Sequence, residues 1–423
     1  MARLKRTLNL FDATALAIGA IIGAGIFVIS GVAAGLAGPA VILAIMLAGT
    51  VASFTAFSYA KLASRHPQEG GSYVFAKREV SHFAGFMTGW IWLFANVVAG
   101  ATVSLGLASY VVALFHQLPL VPVAISSILL LTLLNVVGIK QSSIFNAVLV
   151  LLKLCALALF VIVGFSHINL ALYGHFAPDG IKGILGATAL IFFAYTGFGT
   201  PAAAAGEIKD PRHNVPRSIT LALVLSSVVY VLVGVVAVGI IPYQKLADSG
   251  SPLTDVVDYG IKAYWLKLFV SFAAIVATVS VLLTTIIGVS RVSYAMGKDG
   301  VLPRLFGKTH KKFSTPYLGI IVIGVTMAVL PMFGDLRQTA NVTNFGSLSA
   351  YGMVNLSAIL MIKKGRMRGA KHLAHVVIPV LGLGSCILLL CFLSIYSWII
   401  GVSWTAAGLL YYYIIPRHFK EKA

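Results

Sequence analysis

The chain is 423 residues long, 59% hydrophobic and only 10% charged, whereas a water-soluble domain carries roughly 25% charged residues. Water therefore cannot be the solvent for most of its surface. The formal net charge of +19 invites a nucleic-acid partner, but the cations gather between long apolar stretches, so their excess is topological and says nothing of an acidic ligand.

In chain order, apolar stretches fall at 12–36, 39–63, 82–115, 120–139, 142–165, 181–206, 216–241, 264–294, 316–332, 338–362, 374–393 and 396–415. Each predicts a helix crossing the ~30 Å hydrocarbon core, for which about 20 apolar residues suffice. Twelve crossings are expected, in one domain over 1–423 with short loops and no soluble appendage. The first stretch lacks a small-residue cleavage site and leads directly into another, so it reads as a span and not as a cleavable signal. The third and eighth are long enough to imply tilt or extension beyond the bilayer.

If both termini share one side, twenty-five Lys and Arg fall on that side. Five fall on the other (Lys182, Lys245, Lys262, Lys267 and Arg337), and Lys153 is left over. The bias of cations toward cytoplasmic loops predicts cytoplasmic termini in a multi-pass protein of the cell membrane. Cys155, Cys386 and Cys391 all lie inside apolar stretches and supply no disulfide framework or metal spacing. No G-x-x-x-x-G-K-[ST] loop is present, so direct ATP hydrolysis is not expected.

Two stretches carry breaks. The first is interrupted at Gly23-Ala24-Gly25 and the sixth at Tyr195-Thr196-Gly197-Phe198-Gly199, followed by Pro201. Glycines alone could serve close helix packing, but breaks five spans apart match inverted repeats, 12–165 and 181–362, with 374–415 outside them. A broken helix in mid-membrane bares N–H and C=O groups that lipid cannot satisfy, so they must line a cavity or hold a ligand. The N-terminal end of the next half-helix suits a carboxylate, and unwound carbonyls suit an ammonium. A free amino acid has both.

Lys153 stands near the middle of the apolar run from Asn146 to Gly164. A lysine at that depth costs about 2.5–3.5 kcal/mol on insertion scales. It is too deep to snorkel, and no carboxylate lies in the middle of any stretch; Asp12 and Glu207 are near helix ends. An amine facing the bundle interior remains, and since desolvation penalises the charged form it is expected to respond to protons.

Four motifs resemble one family in order and placement. Gly19-Ala-Ile-Ile-Gly-Ala-Gly-Ile-Phe27 is similar to the first-helix signature of the amino acid–polyamine–organocation (APC) superfamily, and Glu69-Gly70-Gly71-Ser72-Tyr73 to its second loop. Phe192-Phe-Ala-Tyr-Thr-Gly-Phe198 with Glu207-Ile-Lys-Asp-Pro-Arg-His-Asn-Val-Pro-Arg217 resembles the sixth helix and the loop after it. Arg291-Val-Ser-Tyr-Ala-Met296 with Lys298-Asp-Gly-Val-Leu-Pro303 resembles the end of the eighth. The resemblance implies an all-α, LeuT-like five-plus-five inverted repeat with discontinuous helices one and six, two extra C-terminal helices, and alternating access. Lys153 narrows it to the ApcT-like permeases and related cationic amino acid transporters, where an amine fills the space of a sodium ion.

Carried over by position, Gly23 opens the break, and the amides of Ala24, Gly25 and Ile26 meet a substrate carboxylate. Carbonyls of Ile21, Phe193 and Thr196 meet its amine, while Phe193 and Phe198 shape or gate the side-chain pocket. Gly199 stands where many relatives carry an acid, which favours a neutral or broad amino acid. Protonated Lys153 is expected to hold a carbonyl of Ile18 or Gly19 and hydroxyls of Ser280, Thr278 or Thr284. That grip favours the outward-facing state. Glu207 braces the sixth helix, and Arg291 with Asp299 anchors the eighth. The histidines lack ligand spacing, so no metal, cofactor or catalysis is expected. The loop at 115–122 has no cysteine for a disulfide-linked heavy chain. Proton-coupled amino acid uptake is the expected function, with an exchanger of cationic amino acids or polyamines, or a non-transporting amino acid receptor, as alternatives.

Overall fold

The computed structural model describes residues 6–66, 70–137, 143–310, 315–364 and 372–414. The expectations that rest on Glu69, Lys140, the chain termini and most of the basic run 363–371 lie outside them. All regular structure described is helical apart from one isolated parallel bridge, Leu8 to Ile208.

The helices are α1 (Leu10–Ile21), α2 (Ser30–Ala37), α3 (Val41–Arg65), α4 (Gly71–Glu79), α5 (His82–Leu114), α6 (Leu120–Val137), α7 (Ser143–Phe165), α8 (Gly180–Ile191) and α9 (Thr200–Ala203). They continue with α10 (Pro211–Ile240), α11 (Tyr243–Ala247), α12 (Pro252–Val256), α13 (Tyr264–Lys298), α14 (Tyr317–Val329), α15 (Leu336–Lys363), α16 (His372–Leu390) and α17 (Ile395–Ile414). Local chemistry sets several starts. Asn9 and Asp12 form a reciprocal capping box on α1, Ser81 caps α5, Asp335 caps α15, and Pro211 occupies the first position of α10.

All twelve apolar stretches fall on helix, yet only eight helices among the described residues are, by length and composition, apolar enough to cross a membrane. The count differs from twelve for three local reasons. Leu10–Arg65 runs on as one 56-residue apolar unit, α16 and α17 meet at 115°, and Tyr317–Met332 is short.

Small residues let the interior close. Ala44, Ala48, Ala52 and Ala56 form a four-residue stripe along α3, and all are buried. A side chain at Gly49 of that helix would run into Ser227 of α10 and the ring of Tyr195. At the edge of the bundle α17 is hooked to α5: the Trp90 indole donates to the Trp404 carbonyl at 3.0 Å, the Trp404 indole donates to the Trp90 carbonyl at 3.3 Å, and the rings stack at 4.8 Å.

Candidate functional site

The two breaks lie against each other. After α1, Ile22 turns extended (φ −79°, ψ 102°) and the chain resumes in a wide π turn, Gly25–Ile29, that feeds α2. After α8, Phe192–Gly199 winds as a tight 3-10 segment into α9. Glycine is required at both because the backbones touch. A Cβ on Gly25 would occupy the place of the Ala194 backbone, and one on Gly197 that of the Ala20 carbonyl.

Between the breaks is a cavity of about 120 Å³. Of the expected substrate residues, Ile21, Gly23, Ala24, Gly25, Phe193 and Thr196 line it. Ile26 and Phe198 are fully buried outside its wall. The Phe198 ring instead backs Tyr59 and Tyr351, at 5.5 and 5.1 Å between centroids, and those two tyrosines do line the cavity. Tyr59 is held by a hydrogen bond to Ser72. Much of the rest of the wall comes from α5, with Trp92 and Asn96, and from α13, with Val281, Thr284, Thr285 and Gly288, and Gly199 lines it too. Among the described residues no Asp, Glu, Lys, Arg or His lines it.

The carbonyls expected to hold an ammonium each already accept from a side chain. Ile21 O accepts from the Tyr230 hydroxyl at 2.9 Å, Phe193 O from Thr196 Oγ1 at 2.9 Å, and Thr196 O from the Tyr351 hydroxyl at 2.7 Å. A carbonyl oxygen has two lone pairs, so Ile21 O, at the end of α1, is open to a second donor, whereas Phe193 and Thr196 lie within the 3-10 segment, whose own backbone bonds also draw on their carbonyls. The N–H groups that open the π turn belong to a first helical turn; that of Phe27 donates to Gly23 O at 3.3 Å, while those of Gly25 and Ile26 show no backbone acceptor among the described residues.

Lys153, on α7, is 0% exposed. Its Nζ donates to the carbonyls of Gly19 at 2.9 Å and Ile22 at 3.1 Å, the last residues before the break. Ile22 has no signal in its side chain, because it contributes only backbone. The expected hydroxyl partners on α13 are differently placed. Thr278 donates to Ala274 O and Ile275 O, Thr284 to Ser280 O and Val281 O, and the buried Ser280 hydroxyl meets no partner among the described residues. The lysine thus grips α1 alone, because each threonine hydroxyl satisfies itself on the preceding turn of its own helix.

A set of latches ties together the helix ends farther along. Thr7 and Leu8 N–H both donate to Glu207 O at 3.0 Å, and Lys209 N–H donates to Leu8 O at 2.8 Å, so the segment before α1 pairs with the segment after α9. The Glu207 carboxylate meets Arg291 at 3.4 Å. Asp299 was expected beside Arg291; it instead accepts from the Tyr73 hydroxyl at 2.6 Å and Lys77 at 2.8 Å. Partial burial alone would raise the Asp299 carboxyl, but the hydrogen bonds from Lys77 and Tyr73 reverse this and leave it below its ordinary value. Its contribution to stability is therefore present at neutral pH and is lost as pH falls through that lowered value. Because Arg291 and Glu207 are half-exposed and about a quarter exposed, Arg291→Gln is expected to cost under about 1 kcal/mol and slow transport less than about fivefold; initial uptake rates check this.

The amino acid permease family profile matches residues 12–419. The chain is 33% identical over 435 residues to the methylthioribose transporter of Bacillus subtilis, across 98% of this chain and 94% of that one. It is 31% identical over 436 residues to the branched-chain amino acid permease of the same organism, again across 98% and 94%. With cationic amino acid transporter 4 of Mus musculus it shares 31% identity over 382 residues, 85% of this chain and 60% of the mouse protein.

Proposed function

The chain belongs to the amino acid permease family, a multi-pass helical transporter and not an enzyme, and from that premise we propose that it carries a free amino acid with an uncharged side chain inward together with a proton. The arrangement suited to this is the LeuT-like inverted repeat in twelve crossings, working by alternating access with cytoplasmic termini. Amides opening the Gly25–Ile29 turn would take the carboxylate, and the carbonyl of Ile21, with those of Phe193 and Thr196 once their present donors give way, the ammonium. A wall without charged side chains supports a neutral substrate, since an unpaired buried charge would be costly.

The observation that carries the proton reading is Lys153 Nζ on the Gly19 and Ile22 carbonyls, directly behind the break. Protonated, the amine donates to both and holds α1 closed against α7. Neutral, it loses the charge-assisted part of that grip, and α1 is free to swing. Binding of the proton is thereby tied to the position of the helix that contacts the substrate.

Uptake of radiolabelled amino acids into proteoliposomes tests the proposal. With acid outside, initial uptake of a neutral amino acid should exceed that at equal pH, and a protonophore should remove the excess. Strict dependence on internal substrate, without response to a pH gradient, would indicate an exchanger. Methylthioribose belongs in the same panel, because a relative bears that name and the uncharged wall would also admit a neutral thiosugar. Its uptake in place of any amino acid would displace the zwitterion reading.

A further inference from the structure

The second break is gripped much as the first is, but by a side chain with no proton to lose. Asn344 of α15 is 0% exposed, and its Nδ2 donates to the carbonyls of Ala189 at 2.7 Å and Leu190 at 3.0 Å. Those residues close α8, where the winding tightens into the 3-10 segment Phe192–Gly199. Carbonyls are poorly served where α winding ends, and one amide meets two of them at once. Its Oδ1 is buried with no partner among the described residues. An unmet acceptor of that kind costs about 1–3 kcal/mol. Turning the amide over gives no relief, because its oxygen would then face two carbonyls. The side chain is placed for its two N–H groups.

The same helix holds the break farther along. Tyr351, seven residues on and so on the same face of α15, donates its hydroxyl to Thr196 O at 2.7 Å. Its ring packs against Phe192 and Phe198 at 6.1 and 5.1 Å between centroids. In turn α15 is tied back to α3: Asn355 accepts from Ser58 Oγ at 2.7 Å and donates to Thr55 Oγ1 at 3.0 Å, all three buried. One helix, anchored elsewhere, therefore lies along 189–196 with a donor at each end. Asn344 does not line the cavity, whereas Phe193 and Thr196, within the held stretch, do. The ionisable side chains of the three segments that meet here are Lys182 on α8, Tyr195 in the 3-10 segment, and Arg337, Tyr351 and Lys363 on α15. None is a carboxylate or a histidine.

Taking the two breaks as the solute site, as above, we propose that Asn344 is a positioning residue: it fixes the second break on α15 and so sets how tightly the solute is held, independently of the proton that acts on the first. In the inverted repeat proposed above, α7 ends the first half and α15 the second, so the amide stands on the helix that corresponds to the one bearing Lys153. The two grips differ in chemistry. An ammonium donates through a charge that can be lost. A carboxamide keeps both N–H groups at every working pH. The first break is thus free to answer to the proton, while the second remains a fixed wall through the cycle.

Initial uptake of radiolabelled leucine into proteoliposomes over a concentration series, with and without acid outside, tests this on Asn344→Leu, which keeps the volume and removes the donors. Losing two uncharged hydrogen bonds should raise KM at least about tenfold, while kcat and the ratio of uptake with and without the gradient stay near the parent's. Asn344→Asp, assayed at acid pH where it carries a proton and so one donor, should fall between the two, and it carries the test should Asn344→Leu not be recovered. Asn341→Leu, one turn earlier, removes an amide that donates to Arg337 O of its own helix at 2.9 Å and should match the parent. Hydrogen–deuterium exchange needs no substrate: residues 186–199 should exchange faster in Asn344→Leu, and residues 16–29 should not. If the parent takes up no leucine, the solute reading is at fault and the exchange comparison alone decides the grip. A parental KM or parental exchange in Asn344→Leu, loss of its pH response, or an equal effect of Asn341→Leu would each overturn this role.

Discussion

Lys153→Ala should abolish the pH dependence of uptake and lower its rate at acidic external pH to the level seen without a gradient. The amine is wholly buried and its two hydrogen bonds run to one segment of α1. A hydrogen bond to a charged group contributes about 1.5–3 kcal/mol, so losing both is expected to shift the equilibrium between closed and open α1 by at least about a hundredfold. The alanine leaves the Gly19 and Ile22 carbonyls without this donor in every state, so protonation no longer distinguishes them. Lys153→Arg should fail differently. Guanidinium stays charged at any working pH, so α1 remains gripped: substrate binding survives in equilibrium assays while turnover stops. Initial uptake across a pH series, with binding measured beside it, separates the two variants. A Lys153→Ala protein with the pH profile of the parent removes the lysine from the coupling step.

Gly25→Val should stop transport outright. The space a side chain would need there is filled by the Ala194 backbone, and the space at Gly197 by the Ala20 carbonyl. Backbone atoms cannot rotate away as a flexible side-chain tip can. Relief therefore requires the two broken segments to separate, and overpacking of this kind costs about 1–3 kcal/mol or more. Separated breaks no longer enclose the cavity, so binding falls together with turnover. Gly186→Ala is the control: it lies on α8, the helix that leads into the second break, with nothing within 4 Å of the added carbon, and should leave uptake unchanged. Size-exclusion profiles matching the parent show that lost activity is not lost folding, and a Gly25→Val protein that transports normally would mean that the breaks do not meet.

What could be read from residues alone follows from which features cost free energy in a membrane. A buried lysine is expensive, and glycine clusters mark backbone that side chains would block, so Lys153 and both breaks were legible, and four motifs supplied the family. Gly19 came with the first of those motifs. Ile22 lies in the same motif but was not read as a partner of the lysine, because its carbonyl does the work and any residue type has one. Trp92, Asn96, Thr285 and Gly288 were missed for another reason. Their place on the cavity wall depends on the rotation of α5 and α13, and lipid and protein interior are both apolar, so no polar face reports that rotation. The partner of Arg291 was misread because Asp299 is eight residues away in sequence, whereas Glu207 comes close only once the helix ends are assembled. Twelve crossings are not established by the eight helices, or nine with the bent pair, that are long and apolar enough among the described residues, since helices that are broken, short or joined without a loop escape a measure of continuous apolar length.

The central claim is that a proton enters with each substrate through the amine behind the first break. Proteoliposomes loaded with a pH-sensitive dye, given a neutral amino acid outside at equal pH on both sides, measure this directly. The lumen should acidify in step with substrate entry in the parent protein and stay level in Lys153→Ala. Substrate accumulation in the parent with no change in lumenal pH would contradict the account.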